Sequence, residues 1–139
     1  MRSPPGSPPL LLPSDASRVL VVEDDADLTV TYERLLRRVG YRVVVAATRR
    51  DGLALVAQEP LVLVISDVLL PDGDGLDVVR AATSAPHRTR AIVVTAQVSE
   101  VVRLAALEAG ASAYFTKPFS TSDLIATVHD LAAPPAPRA

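Results

Sequence analysis

Half of the acidic residues in this chain lie in two short segments. Eight of the 16 aspartates and glutamates fall within residues 23–27 and 67–77, and neither segment contains histidine or cysteine. Carboxylates packed together repel one another and raise each other's pKa unless a cation lies between them. Oxygen ligands without nitrogen or sulfur select a hard cation, so Mg²⁺ is the natural choice. A carboxylate-held Mg²⁺ with open coordination positions is suited to phosphoryl chemistry.

A lysine and a threonine elsewhere in the chain could serve the same chemistry. Lys117 is the only lysine, since 13 of the 14 basic residues are arginine. Its place between a predicted strand and Pro118 directs the ammonium over the end of a sheet, although an isolated lysine is usually a solvated cation. Thr95 ends an apolar run, where a threonine by itself would be an ordinary strand-end residue.

Some of these residues also have a purely structural interpretation. Asp25 is favoured as a helix N-cap, and Asp72 and Asp74, within Pro-Asp-Gly-Asp-Gly, are favoured as turn formers. Asp67 follows a strongly apolar segment and has no capping role, so we interpret it as functional. Phe119 is interpreted as a core residue.

The apolar residues predict an alternation of short strands and helices. Mostly β-branched runs predict strands over residues 19–22, 42–46, 61–65, 91–94 and 113–115. Helical spacing predicts helices over residues 26–39, 48–58, 75–83, 99–109 and 122–131. Thr48 and Ser99 are predicted as N-caps of the second and fourth helices, and Gly40 is predicted to end the first. Strands that are apolar on both faces, each followed by a helix, indicate a parallel sheet covered on both sides. We predict a flavodoxin-like, doubly wound α/β fold, with five parallel strands in the order 2-1-3-4-5 and five helices.

This predicted fold brings distant residues together. The carboxyl ends of parallel strands meet at one edge of a sheet, where ligands bind in doubly wound folds. Glu23 and Asp24 follow the first strand, and Asp67 follows the third. Thr95 follows the fourth strand and Lys117 follows the fifth. We therefore expect these five side chains to meet at the same edge.

The composition excludes several classes of protein. The 139 residues carry a net charge of −2, which argues against a nucleic-acid interface made from bulk positive charge. The absence of cysteine excludes disulfides and zinc–thiolate sites. Apolar runs reach only about five residues, too short to span a bilayer. No signal-peptide pattern is present either, so we expect no membrane contact and a cytoplasmic location.

Proline marks both ends of the predicted domain. Residues 1–16 contain five prolines, and residues 133–139 contain three. We predict a disordered Pro-rich N-terminal tail over residues 1–16, one globular domain over residues 17–132, and a Pro/Ala-rich C-terminal tail over residues 133–139. Such tails serve as linkers or, alternatively, as proline-rich docking ligands.

Four segments carry a recognisable pattern when they are taken together. They cover residues 19–25, 65–75, 93–96 and 110–119. In their order and spacing they resemble the receiver domain of two-component response regulators, over residues 18–131. The resemblance implies a phosphorelay signalling module in which Asp67 accepts a phosphoryl group from a sensor histidine kinase, a histidine phosphotransfer protein or a small acyl phosphate. Such a module has no separate substrate and assists only its own phosphorylation and dephosphorylation.

The resemblance also implies a Mg²⁺ site. Asp24 and Asp67 would bind the ion directly, together with the backbone carbonyl of Leu69. Glu23 would act mainly through a metal-bound water. Many members of the family have aspartate at this last position, and glutamate carries the same charge.

A switch is the third implication of the resemblance. Lys117 would pair with a phosphoryl oxygen, Thr95 would turn its hydroxyl toward the phosphoryl group, and Tyr114 would move into the space left behind. The face made by the fourth helix, fifth strand and fifth helix would then contact a downstream effector protein or domain, or a second copy in a homodimer. The resemblance implies that Leu69 and Gln97, two residues after Asp67 and Thr95, shape the access of the attacking water, and we expect an aspartyl-phosphate lifetime of minutes or longer.

Two surfaces are candidates for protein contact. The surface of the first helix could select a kinase, although solvation explains its arginines equally well; its residues are Tyr32, Arg34, Arg37 and Arg38. Three apolar residues of the fourth helix do not fit on one buried stripe, which leaves one of them for a partner; they are Val101, Val102 and Leu104.

Three other functions stay open. A Mg²⁺-dependent phosphatase with an aspartyl nucleophile usually carries a second aspartate two residues further on, where this chain has Leu69. A degenerate receiver acting as a constitutive scaffold is disfavoured by the intact set of site residues. A DNA-binding regulator is disfavoured because only eight residues follow Leu131, too few for a helix-turn-helix. We therefore expect output through protein contact or phosphoryl relay rather than through nucleic acid; if the chain is a fragment, its Pro-rich ends would be linkers to an effector.

Overall fold

Residues 17–132 are described by the computed structural model. The two predicted tails, at residues 1–16 and 133–139, lie outside the described residues. The strands are β1 (Arg18–Val22), β2 (Arg42–Ala46), β3 (Leu63–Ser66), β4 (Leu69–Leu70), β5 (Gly73–Asp74), β6 (Arg90–Thr95) and β7 (Ala113–Thr116). The helices are α1 (Ala26–Arg38), α2 (Arg49–Gln58), α3 (Leu76–Thr83), α4 (Glu100–Glu108) and α5 (Thr121–Ala132). Within this part of the chain, no helix combines the length and apolar character needed to cross a membrane.

Five of the strands form one parallel sheet. Its order is β2-β1-β3-β6-β7, which is the predicted 2-1-3-4-5 order when only these five strands are numbered. The apolar strand β3 lies at the centre, as its composition predicts, but begins at Leu63 rather than at residue 61 because an apolar run by itself does not define a strand end. Strands β4 and β5 form a separate antiparallel hairpin that was not predicted, since each has only two residues.

Alternate residues of the strands pack against two different layers of helices. Val19 and Val21 contact the layer of α1 and α5, where Leu36 and Leu124 are fully buried. Leu20 lies on the opposite face, in the cluster that includes buried residues of α2, α3 and α4. This alternation follows from the two-residue repeat of a strand. The central strands β1, β3 and β6 are therefore buried on both faces for most of their length, and their buried polar residues lie toward their carboxyl ends.

Side-chain caps begin three of the helices at predicted positions. Asp25 accepts hydrogen bonds from two backbone N–H groups of α1, at 3.0 and 3.2 Å. Thr48 caps α2 and Ser99 caps α4 in the same way. Gly40 follows α1 with a φ of +100°, a conformation that costs glycine little. These contacts confirm the predicted N-caps at Asp25, Thr48 and Ser99, and the predicted end of the first helix at Gly40.

The prediction that Tyr32 belongs to the kinase-facing surface of α1 is wrong. Tyr32 is buried and stacks on Phe119, with 5.8 Å between the ring centroids. Tyr32 lies on the apolar face of α1, and this face packs toward α5. Phe119 is partly buried against the same cluster, which agrees with its interpretation as a core residue. Arg34, Arg37 and Arg38 are exposed.

Gly75 joins the β4–β5 hairpin to α3 and leaves no room for a side chain. A Cβ at this position would lie 1.7 Å from the backbone oxygen of Asp67. We expect Gly75→Ala to displace the loop and lower the free energy of unfolding by about 3 kcal/mol, measured by urea denaturation. Gly40→Ala is the control, because its Cβ would meet no atom within 4 Å; its strained φ should cost only about 1 kcal/mol. Equal losses in the two variants would contradict the close approach at Gly75.

Candidate functional site

Strand register brings the predicted site residues to one edge of the sheet. Val22 of β1 pairs with Ser66 of β3, so the next residues, Glu23 and Asp67, emerge side by side. Thr95 of β6 pairs with Thr116 of β7, and the backbone N–H of Lys117 then donates to the Thr95 carbonyl at 2.8 Å. The convergence expected from the parallel topology is therefore present.

The Lys117 ammonium lies between two buried carboxylates. Its Nζ donates to Glu23 Oε1 and to Asp67 Oδ2, both at 2.8 Å. Glu23 is 2% exposed and Asp67 is 8% exposed. Buried carboxylates are strongly destabilising unless they are paired and hydrogen-bonded, so the ion pairs with Lys117 stabilise both acids in their buried positions.

The backbone that follows Asp67 holds the other oxygen of its carboxylate. Oδ1 accepts hydrogen bonds from the N–H groups of Val68 at 2.6 Å and Leu69 at 3.2 Å. Because Lys117 holds Oδ2, both oxygens are fixed and the carboxylate points into the acidic cluster. A nucleophilic oxygen needs this kind of orientation, since a misplaced reacting atom lowers the rate steeply.

The pKa values in this cluster reflect burial and pairing together. Burial raises the pKa of Glu23, and the hydrogen bond from Lys117 offsets only part of that rise. For Lys117, burial alone would lower the pKa, but the hydrogen bonds to Asp67 and Glu23 outweigh it and raise the pKa. The ammonium is therefore held in its charged form beside the two acids.

Three carboxylates of the site have the composition and spacing of a site for a hard cation. One oxygen from each of Glu23, Asp24 and Asp67 can be chosen so that all three lie within 4.8 Å of one another. Asp24 is exposed, while the other two are buried. With Lys117 as the paired ammonium, three negative charges and one positive charge leave a net charge of −2. A divalent cation would neutralise this charge, and an all-oxygen donor set fits Mg²⁺.

The two proposed switch residues are joined through one backbone segment. The buried Thr95 hydroxyl accepts a hydrogen bond from the Gln97 N–H at 3.3 Å. The Tyr114 hydroxyl donates to the Gln97 carbonyl at 2.8 Å. Sequence reasoning assigned Gln97 a side-chain role and missed this backbone contact, for which no residue type gives a signal.

Asp72 and Asp74 make contacts beyond the turn predicted for them. Asp74 Oδ1 accepts from the Leu76 N–H at the start of α3, at 2.8 Å. Asp72 accepts from two backbone N–H groups of α2, those of Arg49 and Arg50. The turn sequence predicted the local bend, but the contact with α2 depends on how two distant segments pack.

Two open grooves flank the acidic cluster. One lies between α1 and the loop that leads into α5; its lining includes Asp25, Leu28, Thr31, Lys117 and Phe119. The other lies between the β4–β5 hairpin and α4; its lining includes Leu69, Leu70, Gln97, Val101 and Val102. The first groove reaches the site at Lys117, and the second lies beside Val68 and Leu69, which follow Asp67 in the chain.

The raised pKa of Glu23 predicts a pH-dependent stability for the metal-free protein. Below 4.5, the ordinary pKa of glutamate, this residue is protonated in both states and its contribution is fully present. As the pH rises through the raised pKa of the folded state, the folded protein loses a proton that it holds more tightly than the unfolded chain does, and that stability is lost. The stability of Glu23→Gln relative to wild type should therefore rise across this window, measured by urea unfolding in EDTA.

Glu100→Gln is the matched control for this pH series. The hydrogen bond from Arg103 lowers the pKa of Glu100, so the stability of this variant relative to wild type should not rise with pH. A pH-independent difference between Glu23→Gln and wild type would contradict the buried state of Glu23.

The sequence is similar to known proteins over most of its length. The model of the response regulator receiver domain matches residues 19–129. The transcriptional regulatory protein CpxR of Escherichia coli (strain K12) is 35% identical over 112 residues, which cover 81% of this chain and 47% of CpxR. The chain therefore spans about half the length of the curated relatives it matches.

The fold is also similar to solved structures. A CheY-like response regulator receiver domain protein from Methanospirillum hungatei JF-1 has a TM-score of 0.79 and 32% identity, and the match covers 84% of this chain and 93% of that one. The receiver domain of the sensor histidine kinase PA1611 from Pseudomonas aeruginosa PAO1 has a TM-score of 0.76 and 26% identity, covering 85% and 98%. That structure holds a magnesium ion in its active-site cleft. The sequence match and the shared sheet topology lead to one conclusion: this chain belongs to the response regulator receiver domain family.

Proposed function

We propose that this receiver domain accepts a phosphoryl group on Asp67 in a Mg²⁺-dependent reaction and thereby changes a protein-interaction surface. One observation carries the proposal: Lys117 pairs with Asp67 at 2.8 Å inside a cluster of three carboxylates. A structural ion pair needs only one acid, whereas this arrangement keeps an excess of negative charge beside a fixed cation. Such a site binds a cation and a phosphoryl group together.

The transfer step requires an oriented oxygen and a fixed positive charge. An oxygen of Asp67 would form the new bond to phosphorus, while the bond from phosphorus to the donor breaks. The electron pair of that bond leaves with the donor, which is the imidazole nitrogen of a phosphohistidine or the carboxylate oxygen of an acyl phosphate. Lys117 would pair with a phosphoryl oxygen once the group is on Asp67, since its ammonium already lies against Asp67 Oδ2.

The proposed Mg²⁺ ion would be held directly by the carboxylates of Asp24 and Asp67 and by the backbone carbonyl of Leu69. Glu23 would act mainly through a water bound to the ion. When bound, Mg²⁺ supplies the positive charge that offsets the phosphoryl oxygens during transfer. The spacing of the three carboxylates supports this assignment. So does the magnesium ion in the structurally similar PA1611 receiver domain.

The proposed switch moves two side chains that share one backbone partner. Thr95 would exchange its contact with the Gln97 N–H for one with the phosphoryl group. Tyr114, whose hydroxyl donates to the Gln97 carbonyl, would follow because the loop before α4 moves. The change is a shift between two packings of the same elements.

The proposed partners are a histidine kinase or phosphotransfer protein and a downstream effector protein or domain. The groove between α1 and the loop before α5 reaches Lys117, which suits a phosphohistidine donor. On α4, Val101 and Leu104 are 77% and 52% exposed, so two of the three apolar residues considered above, rather than one, face solvent, and Leu107 is exposed as well. This supports the face of α4, β7 and α5 as the surface for an effector or a homodimer.

Asp67→Asn should abolish phosphorylation by an acyl phosphate while leaving the fold intact, because the nucleophilic oxygen is lost and the side chain keeps its shape. The measurement is the intact mass of the protein after treatment with an acyl phosphate and Mg²⁺. The wild type should gain one phosphoryl group, and EDTA should prevent the gain. Asp130→Asn, an exposed residue of α5, should label like the wild type. Labelling of Asp67→Asn to wild-type stoichiometry would overturn the site.

Lys117→Ala should take up some label but fail to transmit the change, because the cation that contacts the phosphoryl oxygens is absent. Amide hydrogen exchange in α4 should change on phosphorylation of the wild type and stay unchanged in this variant. Arg103→Ala removes an exposed cation that pairs with Glu100 on α4, and it should respond like the wild type. A wild-type exchange response in Lys117→Ala would contradict its role.

A further inference from the structure

The hairpin that follows Asp67 is tied to a helix that takes no part in the acidic cluster. Asp72 Oδ1 accepts from the backbone N–H of Arg49 at 2.7 Å, and Oδ2 accepts from that of Arg50 at 2.9 Å. These groups belong to the first turn of α2, whose N–H groups have no partner within the helix. The Thr48 cap already satisfies a third, that of Asp51. The hairpin thus docks its carboxylate on the start of α2.

The side chain of Arg49 makes a second tie, to α3. Its Nε donates to Asp77 Oδ2 at 2.7 Å, and the other oxygen of Asp77 accepts from Arg80 at 3.0 Å. The arginine chain also packs closely on the hairpin, since a Cβ on Gly73 would lie 2.8 Å from Arg49 Cδ. We call Arg49, Asp72 and Asp77 the latch. It connects α2, the hairpin and α3.

The segment held by the latch is continuous with the site. Leu69 opens the hairpin, pairs with Asp74, and donates its N–H to Asp67 Oδ1 at 3.2 Å. The Gly75 N–H closes the loop on the carbonyl of Val68 at 2.7 Å. A two-stranded hairpin this short is marginal by itself. Its position relative to Asp67 therefore depends on contacts from outside.

We propose that the latch positions the Leu69 carbonyl beside Asp67 and so sets the affinity of the site for Mg²⁺. This inference rests on the proposed function, in which that carbonyl is a ligand. Arg49, Asp72 and Asp77 are positioning residues, because none of them touches the reacting atoms. A purely stabilising role explains less, since the side chains of Arg49 and Asp77 are 35% and 38% exposed and ion pairs so exposed contribute little to stability.

Two pairs of variants separate positioning from stability. Arg49→Ala removes the ion pair with Asp77 that connects α2 to α3. Arg80→Ala removes the other ion-pair partner of Asp77, which lies within α3. Asp72→Ala removes two acceptors from the start of α2, whereas Thr48→Ala removes the helix's own cap. Each control loses a comparable contact without releasing the hairpin.

The first measurement is Mg²⁺ binding by calorimetry, without a phosphoryl donor. Arg49→Ala and Asp72→Ala should bind about tenfold more weakly than wild type, the loss typical of residues that support metal ligands. Arg80→Ala and Thr48→Ala should stay within about twofold, below that range. Asp72→Asn, which keeps one acceptor oxygen, should be intermediate.

The second measurement needs no metal. In EDTA, the amides of Leu69 and Gly75 should exchange faster in Arg49→Ala and Asp72→Ala than in the controls. Wild-type Mg²⁺ affinity in both latch variants, or equal weakening in their controls, would overturn the proposal. If the wild-type protein binds Mg²⁺ but gains no phosphoryl group on Asp67, the proposed function is overturned. In that case the comparison of Mg²⁺ affinities still tests whether the latch positions the Leu69 carbonyl.

Discussion

One ammonium group between two buried carboxylates is the interaction on which the site depends. Lys117 contacts Glu23 and Asp67 at 2.8 Å each, and both acids are almost fully withdrawn from water. Burying a carboxylate without a partner is strongly destabilising, and the ion pairs with Lys117 offset that cost for both acids. The parallel sheet makes the contact achievable, because it delivers the ends of β1, β3 and β7 to one edge. The apolar layers on both faces then leave that edge as the polar part of the sheet.

The same contact leaves the site with unbalanced charge. A third carboxylate, Asp24, lies close enough to share a cation with Glu23 and Asp67. The local excess of negative charge favours a divalent cation, which in the proposed function would offset the charge of an incoming phosphoryl group. Thr95 and Tyr114 both contact the backbone of Gln97. In the proposed switch, this shared backbone segment would link the site to the start of α4, where apolar side chains are exposed.

The loops at this edge differ from the strands in how they are held. The strands are fixed by ladders of hydrogen bonds and by burial on both faces, which one substitution disturbs little. The β4–β5 hairpin is held by the burial of Leu70 and by a few polar contacts, among them those of Asp72 with the start of α2. Gly75 is needed there because of how closely the chain passes the backbone of Asp67, not because of an unusual φ. Loops held in this way can position ligand groups finely, yet they respond to distant changes.

Local patterns in the sequence determined the order of strands and helices, the caps at Asp25, Thr48 and Ser99, and the meeting of Glu23, Asp67 and Lys117, because these follow from periodicity and parallel topology. Only the tertiary structure decided that the backbone of Gln97 joins Thr95 to Tyr114 and that Asp72 reaches α2. Each of these depends on the distance and orientation between segments far apart in the chain. Residue type and spacing carry no information about such a contact until packing has brought the two segments together.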